Sequence, residues 1–192
     1  MLPEQIIFVG VLINLFLSVW YVKTIVSGNT KPNLVSWFIW MLAPFVGTFL
    51  ALKAGAGLAA LGIFMAGFGP LLVIIFSLWN KNAYWKISKL DIICGILAFT
   101  ALILYVITRN LGISILFAIA SDALAAIPTI IKSWEFPETE SSSTYIGGII
   151  NNTLALLIIK NWIFPIYSFG LYFVLINLAI VSCIYRKKIF KS

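Results

Sequence analysis

Asp122 is the residue from which the chemistry of this chain has to be read. It stands in Ser121-Asp122-Ala123-Leu124-Ala125-Ala126-Ile127-Pro128-Thr129, near the middle of an apolar run from about Leu111 to Ile131. A carboxyl group at that depth in hydrocarbon is costly unless it faces protein or a water-filled cavity. Where desolvation favours its neutral form it can carry a proton, and where it stays ionised it can hold a cation. Amide side chains come from other apolar runs: Asn14, Asn151, Asn152 and Asn177. Each lies about eight to ten residues from the nearest end of its run and Asp122 about eleven, so at ~1.5 Å per residue all five fall near one depth. Amides both donate and accept, which suits hydroxyl- or amide-bearing solutes. Each asparagine also has a second reading as interhelical glue.

Two tryptophans belong to the same question. Trp37 and Trp40 can stack on a sugar ring, Trp40 being the deeper of the two. Alternatively they join an inner aromatic belt with Trp20, Trp79, Trp85 and Trp134. On its own helix Asp122 shares a face with Ala118, Ala125, Ala126 and Thr129, which suits a cavity wall or a tight helix contact.

Other chemistries find little support. The chain has no His, and Cys94 and Cys183 lie inside apolar runs, where small packing residues are expected. No metal or other cofactor is expected, because carboxylates and thiols do not occur at ligand spacing. Intramembrane hydrolysis would need a second carboxylate or a His. A retinal pigment needs a lysine deep in the last apolar run, and residues 163–185 have none. The chain is therefore not expected to be an enzyme.

The elements that position these groups follow from composition. Of 192 residues 62% are hydrophobic and 10% charged, and the mean hydropathy is +1.08. Soluble domains run at about 45–50% apolar and about 25% charged, so the fitting solvent is lipid. Helical spans need about 17–25 apolar residues each, and seven stretches qualify: 5–26, 33–53, 56–79, 90–108, 111–132, 142–160 and 163–185. Met1-Leu2-Pro3-Glu4-Gln5 has no basic residue, so the first span reads as a membrane helix and not a cleavable signal. Ser88-Lys89-Leu90-Asp91 reads as a capping box for the fourth span. The acidic loop Glu135-Phe136-Pro137-Glu138-Thr139-Glu140 places Glu138 and Glu140 where they favour the N-terminus of the sixth span, with a cytoplasmic gate as the other reading.

The net charge of +7 does not point to nucleic acid. Of the 13 Lys and Arg, Lys53, Arg109 and Lys160 fall on one side of an alternating seven-span chain and the other ten on the opposite side. The positive-inside rule then puts the N-terminus outside and the C-terminus in the cytoplasm. The basic tail meets anionic lipid headgroups. The expected setting is a bacterial cytoplasmic membrane.

The chain also repeats. A shift of 105 positions lays Thr24-Ile25 on Thr129-Ile130, Pro32 on Pro137, Ser36 on Ser141, Thr48 on Thr153 and Leu52 on Leu157, with Trp40 on Tyr145. Internal duplication is common among transporters. The expected fold is an all-α membrane protein of 3+1+3 helices. Residues 1–80 form one triplet, 81–110 the linker helix and 111–192 a second triplet running in the same direction.

This arrangement resembles the SWEET and PQ-loop superfamily. Ile127-Pro128-Thr129-Ile130-Ile131-Lys132 is similar to the family's Pro-Gln segment, with Thr129 in place of Gln, and Pro137 to Asn152 lies where the second unit belongs. In the first unit the positions under Ile127 and Pro128 are Val22 and Lys23. Of the family's hinge prolines, only Pro44 and Pro128 have counterparts. The resemblance implies a small-solute carrier working by alternating access, with one pocket between the triplets and hinges at Pro44 and Pro128. The residues expected to meet a sugar or amino-acid-like solute are Asp122, Asn152, Asn177, Asn14, Asn151, Trp40 and Tyr145. Proton coupling would run through Asp122. The partners are then the solute, lipid and protons, with a homo-oligomer left open. The rival expectation is a non-transporting receptor or adaptor on the same scaffold.

Overall fold

A computed structural model describes residues 3–79, 85–108 and 110–189, with the side chains of Trp79 and residues 187–189 excepted. Lys81, Arg109 and Lys191 of the charge pattern, and the side chains of Trp79, Lys187 and Lys188, thus lie outside the described residues. The described chain is all-helical: α1 (Ile6–Val26), α2 (Leu34–Lys53), α3 (Ala60–Trp79), α4 (Lys89–Ile107), α5 (Leu111–Glu135), α6 (Ser143–Leu157) and α7 (Phe164–Ile189). Six of these helices are long and apolar enough to cross a membrane, as an integral membrane protein requires. Their outward faces fit that solvent: Leu12, Phe16, Ile96 and Ile107 are all more than half exposed, an arrangement water would not favour.

The exception is α6. The sequence predicts a span over 142–160, but the helix covers 15 residues, Ser143–Leu157. At ~1.5 Å per residue that is about 22 Å, short of a hydrocarbon core of about 30 Å. The polar and small content of Thr144, Tyr145, Gly147, Gly148, Asn151 and Asn152, all buried, explains how it is accommodated: the helix is wrapped by others. It packs against α1 and α7 and also touches α3.

Helix starts are set by local chemistry. The Ser88–Asp91 capping box forms, closing α4. Asn33 caps α2 with its Oδ1 on the Val35 and Ser36 amides, and its Nδ2 donates to Asp91 Oδ1 at 2.7 Å. Asp91 therefore holds the starts of α2 and α4 together. Its part is structural.

Packing brings the helices into a specific order. α3 lies against both α1 and α2, and α7 against both α5 and α6. Across the bundle α1 packs on α6 and α2 on α5, while α4 lies along α5 and touches α2. Small residues permit the closest crossings. On α1, Gly10, Asn14 and Ser18 are buried in one stripe, and a Cβ at Gly10 would come within 3.2 Å of Asn151 Cα. On α3, a Cβ at Gly62 would sit 2.6 Å from the Ala155 Cβ of α6. A shorter contact than real Cβ atoms make means that the backbones meet there.

Gly62→Ala should therefore force α3 and α6 apart, at a cost of about 1–3 kcal/mol for overpacking. The midpoint of thermal unfolding of the detergent-purified chain should fall, and Ala155→Gly added to it should restore most of the loss. An unchanged midpoint for Gly62→Ala would contradict the α3–α6 crossing.

Candidate functional site

Side chains from six helices line one cavity at the centre of the bundle. α1 contributes Asn14, α2 Trp37 and Trp40, α5 Asp122, α6 Tyr145 and Asn152, and α7 Asn177. α3 closes the ring with Met65, Ala66, Gly69 and Pro70. The cavity measures about 50 Å³, room for a few waters. Pockets that bury a whole drug-sized ligand run to about 300–1,000 Å³. In this conformation the chamber is small.

Asp122 faces the bundle interior, not lipid, and is 1% exposed. Three features of α5 fix that orientation. Ala118, Ala125 and Ala126 on the same face are fully buried, Ser121 Oγ donates to the Ala98 carbonyl of α4 at 2.7 Å, and Thr129 Oγ1 donates to Ser36 Oγ of α2 at 2.9 Å. One carboxyl oxygen, Oδ2, accepts the Tyr172 hydroxyl of α7 at 2.7 Å. Trp40 Nε1 reaches the Asp122 backbone carbonyl at 3.3 Å. The other oxygen, Oδ1, is buried and has no hydrogen-bond partner among the described residues. A buried polar atom left without a partner is rare in proteins and calls for an explanation.

The asparagines divide. Asn152 Nδ2 donates to the Gly148 carbonyl at 2.9 Å and Asn177 Nδ2 to the Phe173 carbonyl at 2.7 Å. These bonds to their own helices hold both amides beside the chamber. Asn152 Oδ1 is buried without a partner. Asn14 accepts Ser18 Oγ at 3.4 Å. Asn151 alone of the expected residues does not line the chamber: one position along α6 from Asn152, it turns to α3 and donates to the Gly62 carbonyl at 3.1 Å. Its place is helix glue. Pro44 and Pro128 are buried inside α2 and α5 and do not line the cavity, whereas Pro70 of α3 does.

Trp37 and Trp40 belong to the interior and not to an aromatic belt. They pack with Tyr21 and Tyr145: ring centroids lie 5.0 Å apart for Tyr21–Trp37, 5.4 Å for Trp37–Trp40 and 6.4 Å for Trp40–Tyr145. Trp20 and Trp134, by contrast, are about half exposed. The four rings form a layer between the chamber and the face carrying the α1–α2 and α5–α6 loops.

Beyond that layer lies a buried ion pair that spacing alone did not disclose. Lys132 Nζ meets Glu140 Oε2 at 2.6 Å, with side-chain exposures of 2% and 0%. Glu140 also accepts the Tyr21 hydroxyl and the Tyr145 hydroxyl at 3.3 Å. Lys132 donates further to the Lys31 carbonyl and to the Thr139 carbonyl at 3.3 Å, and lies 5.5 Å from the Trp85 ring centre. The expectation that Glu140 serves the N-terminus of α6 is thus corrected: its carboxylate turns inward to Lys132, whose ammonium is the stronger partner. Glu138 stays exposed on the 3-10 turn Pro137–Thr139. The signal for the pair was faint, because residues eight apart across a loop share no helical register. Tyr172, one aromatic among many in α7, gave none.

Removing one member of a buried pair strands the other charge, at a cost of about 3–5 kcal/mol, while replacing both with apolar groups is often neutral. Lys132→Met alone should sharply lower thermal stability, and Lys132→Met with Glu140→Leu should recover it. Equal stability of the single variant and the unsubstituted chain would contradict the pair.

No protein-family model, curated protein or solved structure matches this chain.

Proposed function

We propose that the chain is a secondary carrier or facilitator for a small polar solute, built as two like-oriented triplets, α1–α3 and α5–α7, joined by α4. The observation that carries this reading is the single chamber where Asn14, Trp40, Asp122, Tyr145, Asn152 and Asn177 converge. The helix order supports the repeat. The third helix of each triplet lies against the other two, and the first helix of each packs on the second helix of the other: α1 on α6, α5 on α2. An approximate two-fold axis along the membrane normal relates such halves, as in transporters with parallel repeats. The charge pattern supports an N-terminus outside and a C-terminus in the cytoplasm, and a bacterial cytoplasmic membrane remains part of the proposal.

On this reading the solute offers both donors and acceptors, as a sugar or an amino-acid-like metabolite does, and meets the amides and the unpaired oxygen of Asp122. The likeness to the SWEET and PQ-loop superfamily favours a sugar. The carboxyl favours a solute that moves with a proton, since Asp122 can take one up without leaving a charge in the chamber. A chamber of about 50 Å³ cannot seat a hexose, so the triplets must part to load it. That size favours the second reading, a receptor or adaptor whose bundle does not open.

Uptake into proteoliposomes separates the two. Loss of a charge-assisted hydrogen bond is worth about 1.5–3 kcal/mol, so Asp122→Asn should slow uptake by roughly ten- to a hundredfold at limiting solute and flatten its pH dependence. A variant that moves solute at the unsubstituted rate, with the same pH profile, rules out coupling through Asp122. Absence of counterflow for every metabolite, with a co-purifying protein, favours the receptor.

A further inference from the structure

The two ends of the bundle are closed by different means. On the face carrying Lys160, a vestibule of about 240 Å³ lies between the Gly55–Ala59 turn, Glu4 and the α6–α7 connection. Beneath it a narrow cavity of about 10 Å³ shares Ala56, Ala59, Ile159 and Ile166 with the vestibule. The same narrow cavity shares Asn152 with the central chamber. Vestibule, neck and chamber therefore form a series down the seam of α3, α6 and α7. The neck has small residues in its wall, Ala59, Ala155 and Gly170; the ion pair on this face, Lys160–Glu4, bridges the vestibule above it and is exposed to solvent. Widening this side loosens a solvent-exposed pair, which holds weakly, and the Asn151–Gly62 hydrogen bond, but it uncovers no buried charge.

On the opposite face the chamber ends at the aromatic layer, and behind that at the Lys132–Glu140 pair. The pair lies wholly in the second proposed triplet, and its hydrogen bonds reach across to the first. Tyr21 and the Lys31 carbonyl come from the first, and Lys132, Glu140 and Tyr145 from the second. The backbone joins in, with the Lys31 amide donating to the Thr139 carbonyl at 3.0 Å. Tyr145 connects the two regions directly, since its ring lines the chamber while its hydroxyl meets Glu140. Opening this end exposes two charges and breaks several hydrogen bonds together.

We propose that the chamber is gated asymmetrically: solute reaches it from the Lys160 face through the vestibule and the Ala59–Ala155 neck, and the other face opens only when the Lys132–Glu140 latch parts from Tyr21 and the Lys31 carbonyl. This rests on the carrier reading, but its test needs no known solute. The full chain carrying Cys94→Ala and Cys183→Ala receives one cysteine at a time, by Ala155→Cys in the neck, Trp162→Cys as marker of the Lys160 face or Ser27→Cys as marker of the latch face. Right-side-out and everted vesicles are treated with a small membrane-impermeant cationic thiol reagent, and labelling is read by mass.

Ala155→Cys should react only in the vesicles where Trp162→Cys reacts. Adding Lys132→Met with Glu140→Leu, which leaves no orphaned charge, should cut that rate by roughly tenfold as the population shifts and bring labelling from the Ser27 side. No labelling from the Lys160 face, labelling from both faces with the latch intact, or a pattern unmoved by the double change would each overturn the gating scheme. One-sided labelling that follows the latch, in a chain that transports nothing, would sustain the gate and sink the carrier.

Discussion

A polar group inside hydrocarbon has no solvent to turn to, so it must be partnered by protein or by enclosed water. That constraint organises this molecule around Asp122. α5 could meet it only by turning the carboxyl inward, and the helix is built to do so: alanines on the same face let neighbours approach, and Ser121 and Thr129 tie it to α4 and α2. Tyr172 then approaches from α7 and Trp40 from α2. This deeply buried acid thus draws three helices together. It leaves one oxygen free beside a cavity that amides share.

The same constraint explains the second polar layer. Lys132 ends the apolar stretch of α5 and would be expected to snorkel toward headgroups. Instead it is covered by the α1–α2 and α5–α6 loops, and Glu140 neutralises it within the bundle. A buried ion pair is poor value as a stabiliser when compared with well-packed apolar groups. Its retention here fits a part that must hold one arrangement firmly and be able to release it. The opposite end of the bundle is closed by Ala, Gly and Ile side chains beneath the solvent-exposed Lys160–Glu4 pair, and its separation uncovers no buried charge.

Much of the fold was legible in the chain. Hydropathy located the helices to within a few residues, because lipid imposes both length and composition on a span. Depth counting brought Asn14, Asp122, Asn152 and Asn177 to one level, and the structure collects all four around one cavity. What failed was azimuth. Asn151 and Asn152 are adjacent in sequence but point to different neighbours, and only packing decides which of them meets the chamber. Trp37 read as belt or as wall for the same reason. α6 was drawn too long since the apolar residues that follow it, Ile158 and Ile159, belong to a turn. A gate was among the readings of the acidic loop, but the pairing of Glu140 with Lys132 was not legible, because tertiary placement alone joins them, with no shared helical face to announce them.

The account depends on the chamber accepting a solute. Thermal unfolding of the purified chain against sugars, amino acids and vitamins over several pH values tests this most directly, since a ligand that binds only the folded form adds about 2.7 kcal/mol at a hundred times its Kd. The account predicts that at least one small polar solute raises the midpoint in a saturable way, and that Asn152→Leu abolishes that rise while the free variant still folds. A solute-induced rise that survives Asn152→Leu and Asp122→Asn unchanged would contradict it, as would the absence of any saturable rise across the panel.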